Sequence, residues 1–313
     1  MKITNRNNLP EVFERYSQRN PYVMGEADYS VTTLIDSPRI NHLRGAHRSD
    51  LTEDVSDQIM SLLGTAVHSI LEAGAGPMDI VEKRMFAKVS DKVITGQIDL
   101  MRPLPDASGY ILCDYKTTSG FSLLKEPLGK DSWHQQLNMY AEIARVNGFK
   151  VKGLEVVAVI RDWSLSGVKR HPKYPKAAVQ VIDIPIWDQE KIIPYMNQRV
   201  EAHCAEDVPQ CSSSERWERL GVYAVHTVAT PGSAKAAAFG DGHISKRALR
   251  LFETRRDADK FVCDEEKKQK NMTKEFTIIQ RPSTQIRCES YCSVSEYCEQ
   301  WKEIKQNQGE KND

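Results

Sequence analysis

Apolar residues recur along the first two thirds of the chain in two rhythms, one helical and one of strands. From Asp54 to Ala73, the residues Ile59, Leu62, Leu63, Ala66, Val67, Ile70 and Leu71 repeat at the i, i+3, i+4, i+7, i+8 spacing of one helix face, and Gly74 and Gly76 end the run. Residues 80–89, 93–101 and 110–117 instead carry the dense aliphatic and β-branched runs of strands. Ser90-Asp91-Lys92 and the stretch from Pro103 to Gly109 separate them as turns. Helical spacing returns over 133–147, with Trp133, Leu137, Tyr140 and Ala144 on one face, Ser132 as the predicted N-cap and Gly148 as the stop. A strand over 154–163 and a helix over 187–204, carrying Trp187, Ile193, Met196 and Val200, follow. Interleaved helices and strands of this kind predict an α/β fold with a mixed sheet flanked by helices.

The flanks are less regular. Residues 1–28 are polar and read as a loosely helical arm, and Tyr29–Ile35 fits a short strand or a helix entry. After Cys204 two candidate strands (Val222–His226 and Ala248–Phe252) and a charged helix (Arg256–Lys270) predict a small strand–strand–helix insert over 205–287. Residues 288–313 form a cysteine-containing segment with a charged tail that is expected to fray. The expected organisation is therefore an arm (1–28), a core (29–204), an insert (205–287) and the C-terminal segment, without an internal repeat.

Charge narrows the function classes. The 313 residues carry 43 basic and 43 acidic side chains, which gives no support to a polycationic nucleic-acid coat and leaves a local basic cleft open, because phosphate binding depends on where the lysines and arginines lie. Without an apolar run of bilayer length or a hydrophobic leader, the chain is expected to be cytoplasmic, with no membrane partner. Seven cysteines, an odd number, argue against a disulfide framework. Cys113, Cys204, Cys211 and Cys263 are scattered, whereas Cys288, Cys292 and Cys298 bunch together.

The candidate chemistry lies in the two strands joined by the 103–109 turn. If they close as a hairpin over 104–109, residue 103 meets 110 and Asp99 falls opposite Asp114. Cross-strand partners stand about 4.5–5.5 Å apart at Cβ, close enough for one cation to touch both. Lys116 shares the face of Asp114, while Ile111, Cys113 and Tyr115 point to the other side. Carboxylate oxygens suit a hard divalent cation, and an ammonium beside them can meet a phosphate. A surface salt bridge, worth little, is the plain alternative. His68 sits at the edge of the first helix's stripe, one turn after Gly64. A helix-interior glycine costs about 1 kcal/mol relative to alanine, so Gly64 is expected to mark a close approach to the sheet that aims His68 over its end. Gln136 lies one turn before Tyr140, and both also fit the flank of an amphipathic helix. Glu82 reads as an exposed strand glutamate rather than a further acidic ligand.

The order Gly64-x-x-x-His68, Gly96-x-x-Asp99, Asp114-x-Lys116, Gln136-x-x-x-Tyr140, over about residues 29–204, resembles the RecB-like exonuclease branch of the PD-(D/E)XK nuclease superfamily, in its phage- or CRISPR-associated form. The resemblance implies a restriction-endonuclease-like core and Mg²⁺- or Mn²⁺-dependent cleavage of DNA. It also implies an exonuclease or single-strand-preferring enzyme of recombination, repair or phage DNA metabolism, with a single-strand annealing or recombination protein as a further partner. Carried over by residue, Asp99, Asp114 and the backbone carbonyl of Tyr115 would bind the metal, with His68 as an additional ligand. Lys116 would orient or activate the attacking water, and Gln136 and Tyr140 would help hold the nucleic acid. An imidazole nitrogen among oxygens tilts such a site toward Mn²⁺.

The Cys288-x3-Cys292-x5-Cys298 spacing resembles the C-terminal trio of iron–sulfur members of that branch. Those close a [4Fe–4S] cluster with a fourth cysteine upstream of the histidine helix. Here no cysteine precedes Cys113, and the first spacing is three rather than two. The fourth ligand is left open among Cys204, Cys211 and Cys263. Zn²⁺ on three sulfurs and a histidine, or reduced thiols in a small core, are the alternatives. Two rival functions stand beside the nuclease: a non-catalytic DNA-binding scaffold on the same fold, and a cysteine-cluster interaction module.

Overall fold

Pro103 pairs with Tyr110 and Leu100 with Cys113, the register that the 104–109 turn predicts. This hairpin is the centre of a mixed six-stranded sheet in the computed structural model, which describes residues 2–18, 24–229, 232, 234–239, 242–268 and 274–309. The chain divides into two units, Met1–Gln210 and Cys211–Asp313.

The first unit opens with β1 (Lys2–Thr4), α1 (Glu11–Ser17), β2 (Tyr29–Ser30), α2 (Val31–Ile35), α3 (Pro38–Ala46), β3 (Thr52–Asp54) and α4 (Ile59–Ala73). It continues with β4 (Ile80–Val89), β5 (Lys92–Pro103), β6 (Tyr110–Thr118), α5 (Gly120–Lys125) and α6 (Asp131–Val146). β7 (Val151–Ile160), α7 (Leu165–Arg170), β8 (Val179–Asp183) and α8 (Gln189–Cys204) complete it. β4, β5 and β6 run antiparallel in turn. β7 lies parallel to β6, a pairing that needs a crossover, here supplied by α5 and α6, and β8 closes that edge antiparallel.

Apolar residues of α6 (Leu137, Met139, Ile143, Ala144) share one core with Ile94, Ile98, Met101, Leu112, Leu154 and Val156 of the sheet. Each large side chain buried there contributes about 1.5–3 kcal/mol. A smaller cluster of Leu100, Cys113 and Tyr115, with Leu71 of α4, Val81, Ile111 and Val157, forms separately.

Several expectations change in detail. The helix expected from Asp54 starts at Ile59, because Val55–Gln58 is a 3-10 turn whose Ser56 N–H is capped by the Asp54 carboxylate. No residue of α4 is fully buried, and Ile70 is 71% exposed, since this helix walls a cleft rather than covering the core. Ser132 lies inside the first turn of α6; Lys130 holds the cap position without a side-chain bond. Trp187 precedes α8, which Asp188 caps through the Lys191 N–H. Tyr29–Ile35 is both a strand and a helix, with Ser30 accepting the Thr33 N–H at the junction. The arm supplies β1, paired parallel to β3, as well as a helix.

In the second unit, β9 (Glu218–Arg219), β10 (Val222–Val228), α9 (Ala234–Phe239), β11 (Arg250–Phe252) and α10 (Arg255–Lys267) are followed by β12 (Glu275–Arg281). β13 (Thr284–Gln285), α11 (Ile286–Ser290) and α12 (Glu299–Gly309) end it. β10 is flanked antiparallel by β11 and β12, so the insert has a third strand that the sequence pattern did not mark. Phe261 of α10 packs on Phe252 with ring centroids 5.2 Å apart. Lys270, expected in this helix, lies outside the described residues. The tail expected to fray is helical through Gly309, with Trp301 buried. Among the described residues no helix is long and apolar enough to cross a membrane.

Candidate active site

The site is built where β5 changes neighbours. β4 follows one edge of β5 along nearly its whole length. The other edge is divided, β6 pairing with Leu100–Pro103 and β2 with Ile94–Thr95, so Gly96–Asp99 fall between the two. The expected pairing of Asp99 with Asp114 therefore stops one step short. In its place the Asp99 carboxylate accepts the Tyr115 N–H at 2.8 Å, which anchors β6 to the aspartate side chain where the ladder ends. On the β4 edge Glu82 is skipped by the register between Val81↔Leu100 and Lys83↔Ile98 and has a φ of +49°. Such an irregularity turns one side chain out of the strand's alternation.

α4 brings His68 to this point. One ring nitrogen, Nε2, is 2.8 Å from the Tyr115 carbonyl oxygen, and Nδ1 is 3.5 Å from Asp99 Oδ2. One ligand atom each from His68, Glu82 and Asp99 lie within 4.8 Å of one another, the one such trio among the described residues. Glu82 is thus a site residue, and its reading as an exposed strand glutamate is corrected. The count that set Asp99 opposite Asp114 would also have found it, because Val89 pairs with Lys92 and the same register carries Glu82 to Asp99. Gly64 does not mark the tight approach expected of it: a Cβ there would meet Thr117 Oγ1 at an ordinary 3.8 Å. The tight approach is at Gly96, where a Cβ would stand 2.7 Å from the Tyr140 ring.

Asp114 and Lys116 project from β6 toward α6. Lys116 Nζ is 2.6 Å from Asp114 Oδ2 and donates to Gln136 Oε1 at 3.0 Å, and Gln136 Nε2 donates to the Tyr140 hydroxyl at 2.9 Å. Gln136 and Tyr140 are 7% and 5% exposed, so their polar atoms form an internal relay that fixes the ammonium. Asp114 is 2% exposed, and apart from the Lys116 ammonium its Oδ2 has no well-directed partner. The result is excess buried negative charge. Burial first, and then the neighbouring Asp114 charge, push the Asp99 carboxyl up to about 8, against the opposing pull of the Tyr115 N–H and Lys116.

His68, Glu82, Asp99, Tyr115, Lys116 and Tyr140 line an open cleft of about 900 Å³, walled by α4 on one side and by β4, β5 and β6 on the other, with Asp114 and Gln136 buried behind Lys116. Arg84 on β4 faces it and donates to Gln97. Of the sequence-predicted residues, His68, Asp99, Tyr115, Lys116 and Tyr140 face the cleft; Gln136 and Asp114 reach it only through Lys116, and Glu82 rather than Asp114 stands with His68 and Asp99 in the possible ligand trio. Cys288, Cys292 and Cys298 belong to the second unit, and all seven cysteines are free thiols.

No family model matches the chain, and no curated protein matches it. Among solved structures, the crystal structure of SSO0001 is similar at 18% identity, covering 66% of this chain and 85% of that one, with a TM-score of 0.43.

Proposed function

We propose that the chain is a metal-dependent deoxyribonuclease of the PD-(D/E)XK type, RecB-like, that hydrolyses DNA phosphodiester bonds. The observation that carries the reading is the convergence of His68, the Glu82 and Asp99 carboxylates, Tyr115 and Lys116 on one open cleft, with the Asp114 carboxylate paired behind the lysine. The donor set fits a divalent cation. Oxygens of Glu82, Asp99 and Tyr115 with the His68 nitrogen are hard-to-borderline ligands, and the raised Asp99 carboxyl marks negative charge in need of a counterion, the Asp114 carboxylate being already paired with Lys116. Mg²⁺ or Mn²⁺ bound there would supply charge stabilisation at the phosphoryl oxygens and acidify a water.

The chain's own residues do the remaining work. Lys116 has three donor protons; Asp114 and Gln136 orient the ammonium, which borders the cleft, where a phosphate oxygen or the attacking water can be met. Tyr140 fixes Gln136, and the close packing of its ring on Gly96 fixes Tyr140. Arg84 offers a second cation for the backbone of a strand lying along β4. A cleft open along one side suits a strand or a strand end, in keeping with an exonuclease or a single-strand-preferring enzyme.

The deciding experiment is cleavage of end-labelled single- and double-stranded linear DNA with Mg²⁺, Mn²⁺ or EDTA, comparing the parent with Lys116→Ala and Asp114→Asn. Metal-dependent cleavage that falls at least about 100-fold in both variants is expected. DNA retained in a binding assay, with no cleavage by the parent under any condition, would replace the nuclease by the scaffold reading.

A further inference from the structure

Glu82 reaches the cleft from a backbone position that a residue with a side chain rarely holds, at a φ of +49°, where the β4–β5 register skips it. Among the described residues its carboxylate has one hydrogen-bond partner, the side chain of Gln97, whose Nε2 donates to Glu82 Oε2 at 2.5 Å. The strands place the two for this. Arg84 and Gln97 are direct cross-strand partners, and Glu82, two residues before Arg84, is a diagonal neighbour that a long side chain can reach. The Arg84 guanidinium holds Gln97 from the other side. It donates to Gln97 Oε1 and, at 3.5 Å, to the hydroxyl of buried Thr95, which itself donates to the Met85 carbonyl at 3.1 Å. Glu82, Arg84 and Gln97 all line the cleft.

This chain of side chains is either a polar ladder that only zips β4 to β5, or a support for a metal ligand, and the chemistry of its ends favours the second. An amide has one accepting end and one donating end, whereas a guanidinium only donates. Arg84 therefore fixes which end of Gln97 faces Glu82: turned over, the amide would set its NH₂ against the guanidinium and its oxygen against the carboxylate. A hydrogen bond accepted from a cation also polarises the amide and strengthens the bond it donates. An arginine paired directly with Glu82 would cancel the charge that a cation needs. A neutral amide between them holds the carboxylate and leaves its charge. A carboxylate has two accepting oxygens with about four lone-pair sites. One held by Gln97 still leaves Glu82 able to meet a cation together with His68 and Asp99, the other members of its trio.

We propose that Gln97 is a positioning residue for the cation site: held by Arg84, it fixes Glu82 in the backbone position from which the carboxylate meets a divalent ion. The proposal rests on the cation site of the nuclease reading, not on cleavage. The test is titration calorimetry of the full chain with Mn²⁺, without DNA, comparing the parent, Gln97→Met, Glu82→Gln and the double variant. Gln97→Met keeps the length of the side chain and loses both hydrogen bonds, and is expected to bind Mn²⁺ at least about tenfold more weakly than the parent. In the Glu82→Gln background the same change is expected to cost less than about twofold, because the two residues act as one unit. Gln97→Asn carries the same amide one methylene shorter. It is expected to show the same loss, and it decides the matter if the methionine variant folds poorly. Unchanged affinity in both Gln97 variants, or an equal loss in the Glu82→Gln background, overturns the role of Gln97 while the cation site stands. A parent that binds no Mn²⁺ overturns the site and the proposal together, whereas a parent that binds Mn²⁺ and cuts no DNA fails the nuclease reading alone.

Discussion

Asp99 bears most of the electrostatic conflict of the cleft. Its carboxyl, ordinarily near 3.8, is raised to about 8 by burial and by Asp114. A raised carboxyl pKa means that the folded, metal-free protein keeps a proton that the unfolded chain has released. The associated stability is full below about pH 4 and is lost as pH climbs toward 8. Metal-free Asp99→Asn, whose amide oxygen can still accept the Tyr115 N–H, is therefore expected to melt higher than the parent. The gap should be largest above about pH 8 and close toward pH 4, read by thermal unfolding in EDTA; a gap that grows toward acid would refute this. Glu82→Gln is expected to weaken cation binding at least about tenfold by titration calorimetry while leaving the fold unchanged. Asp99, Asp114, Lys116 and His68 were legible in the sequence because a short turn fixes register and a helix fixes angle. Glu82 obeys the same count, but its φ of +49° is invisible to pattern, and so its side chain was placed in solvent. The contact of Tyr140 with Gly96 was illegible for another reason: it joins residues of two layers that no periodicity relates.

That contact makes α6 and β5 one working element. A Cβ at position 96 would stand 2.7 Å from the Tyr140 ring, inside any real contact distance. Gly96→Ala must therefore displace Tyr140, and with it Gln136 and the Lys116 ammonium. A loss of about 1–3 kcal/mol by denaturant unfolding is expected. Cleavage should fall further than in Tyr140→Phe, which removes only the acceptor of the Gln136 amide. In the same unit, Asp54 accepts the Ser56 hydroxyl, the Arg6 N–H, the Thr4 hydroxyl and the Ser56 N–H, and these bonds hold its carboxyl well below the usual range. A depressed pKa contributes stability above the ordinary carboxylate pKa and loses it as pH falls. Asp54→Asn is expected to lower the melting temperature at pH 7, with the difference shrinking below about pH 4. The strands around the site were readable because both faces of β5 and β6 are buried, which gives dense apolar runs. β8 was not, because Val179 and Val181 face solvent while Ile182 alone points in, the reverse of the pattern a half-buried strand shows.

At the scale of the whole molecule, equal numbers of acidic and basic residues mean that no long-range field draws DNA to this chain. Attraction must be local, and in the cleft it rests on Lys116 and Arg84, set among Glu72, Glu82, Asp99 and Asp114, so the acids oppose a phosphate until a cation is bound. Two consequences follow for binding, measured apart from cleavage with the inactive Lys116→Ala as well as the parent. EDTA should weaken DNA binding, and Asp99→Asn should restore part of it without metal. The salt dependence should also be shallow. Each phosphate neutralised contributes a slope of about −0.9 on duplex or −0.7 on single strands, so two cations give about −1.8 or about −1.4 in the logarithm of the association constant against log salt. Lys116→Ala should reduce that slope by about one. A slope steeper than about −5 would mean that another surface engages the backbone. A cationic concavity of about 510 Å³ lies in the second unit, lined by Lys246, Arg247, Arg250 and Arg281 with no acidic residue among its lining. Charge reversal at Arg247 and Arg250 would then flatten the slope, and in the two-cation picture it leaves the slope unchanged.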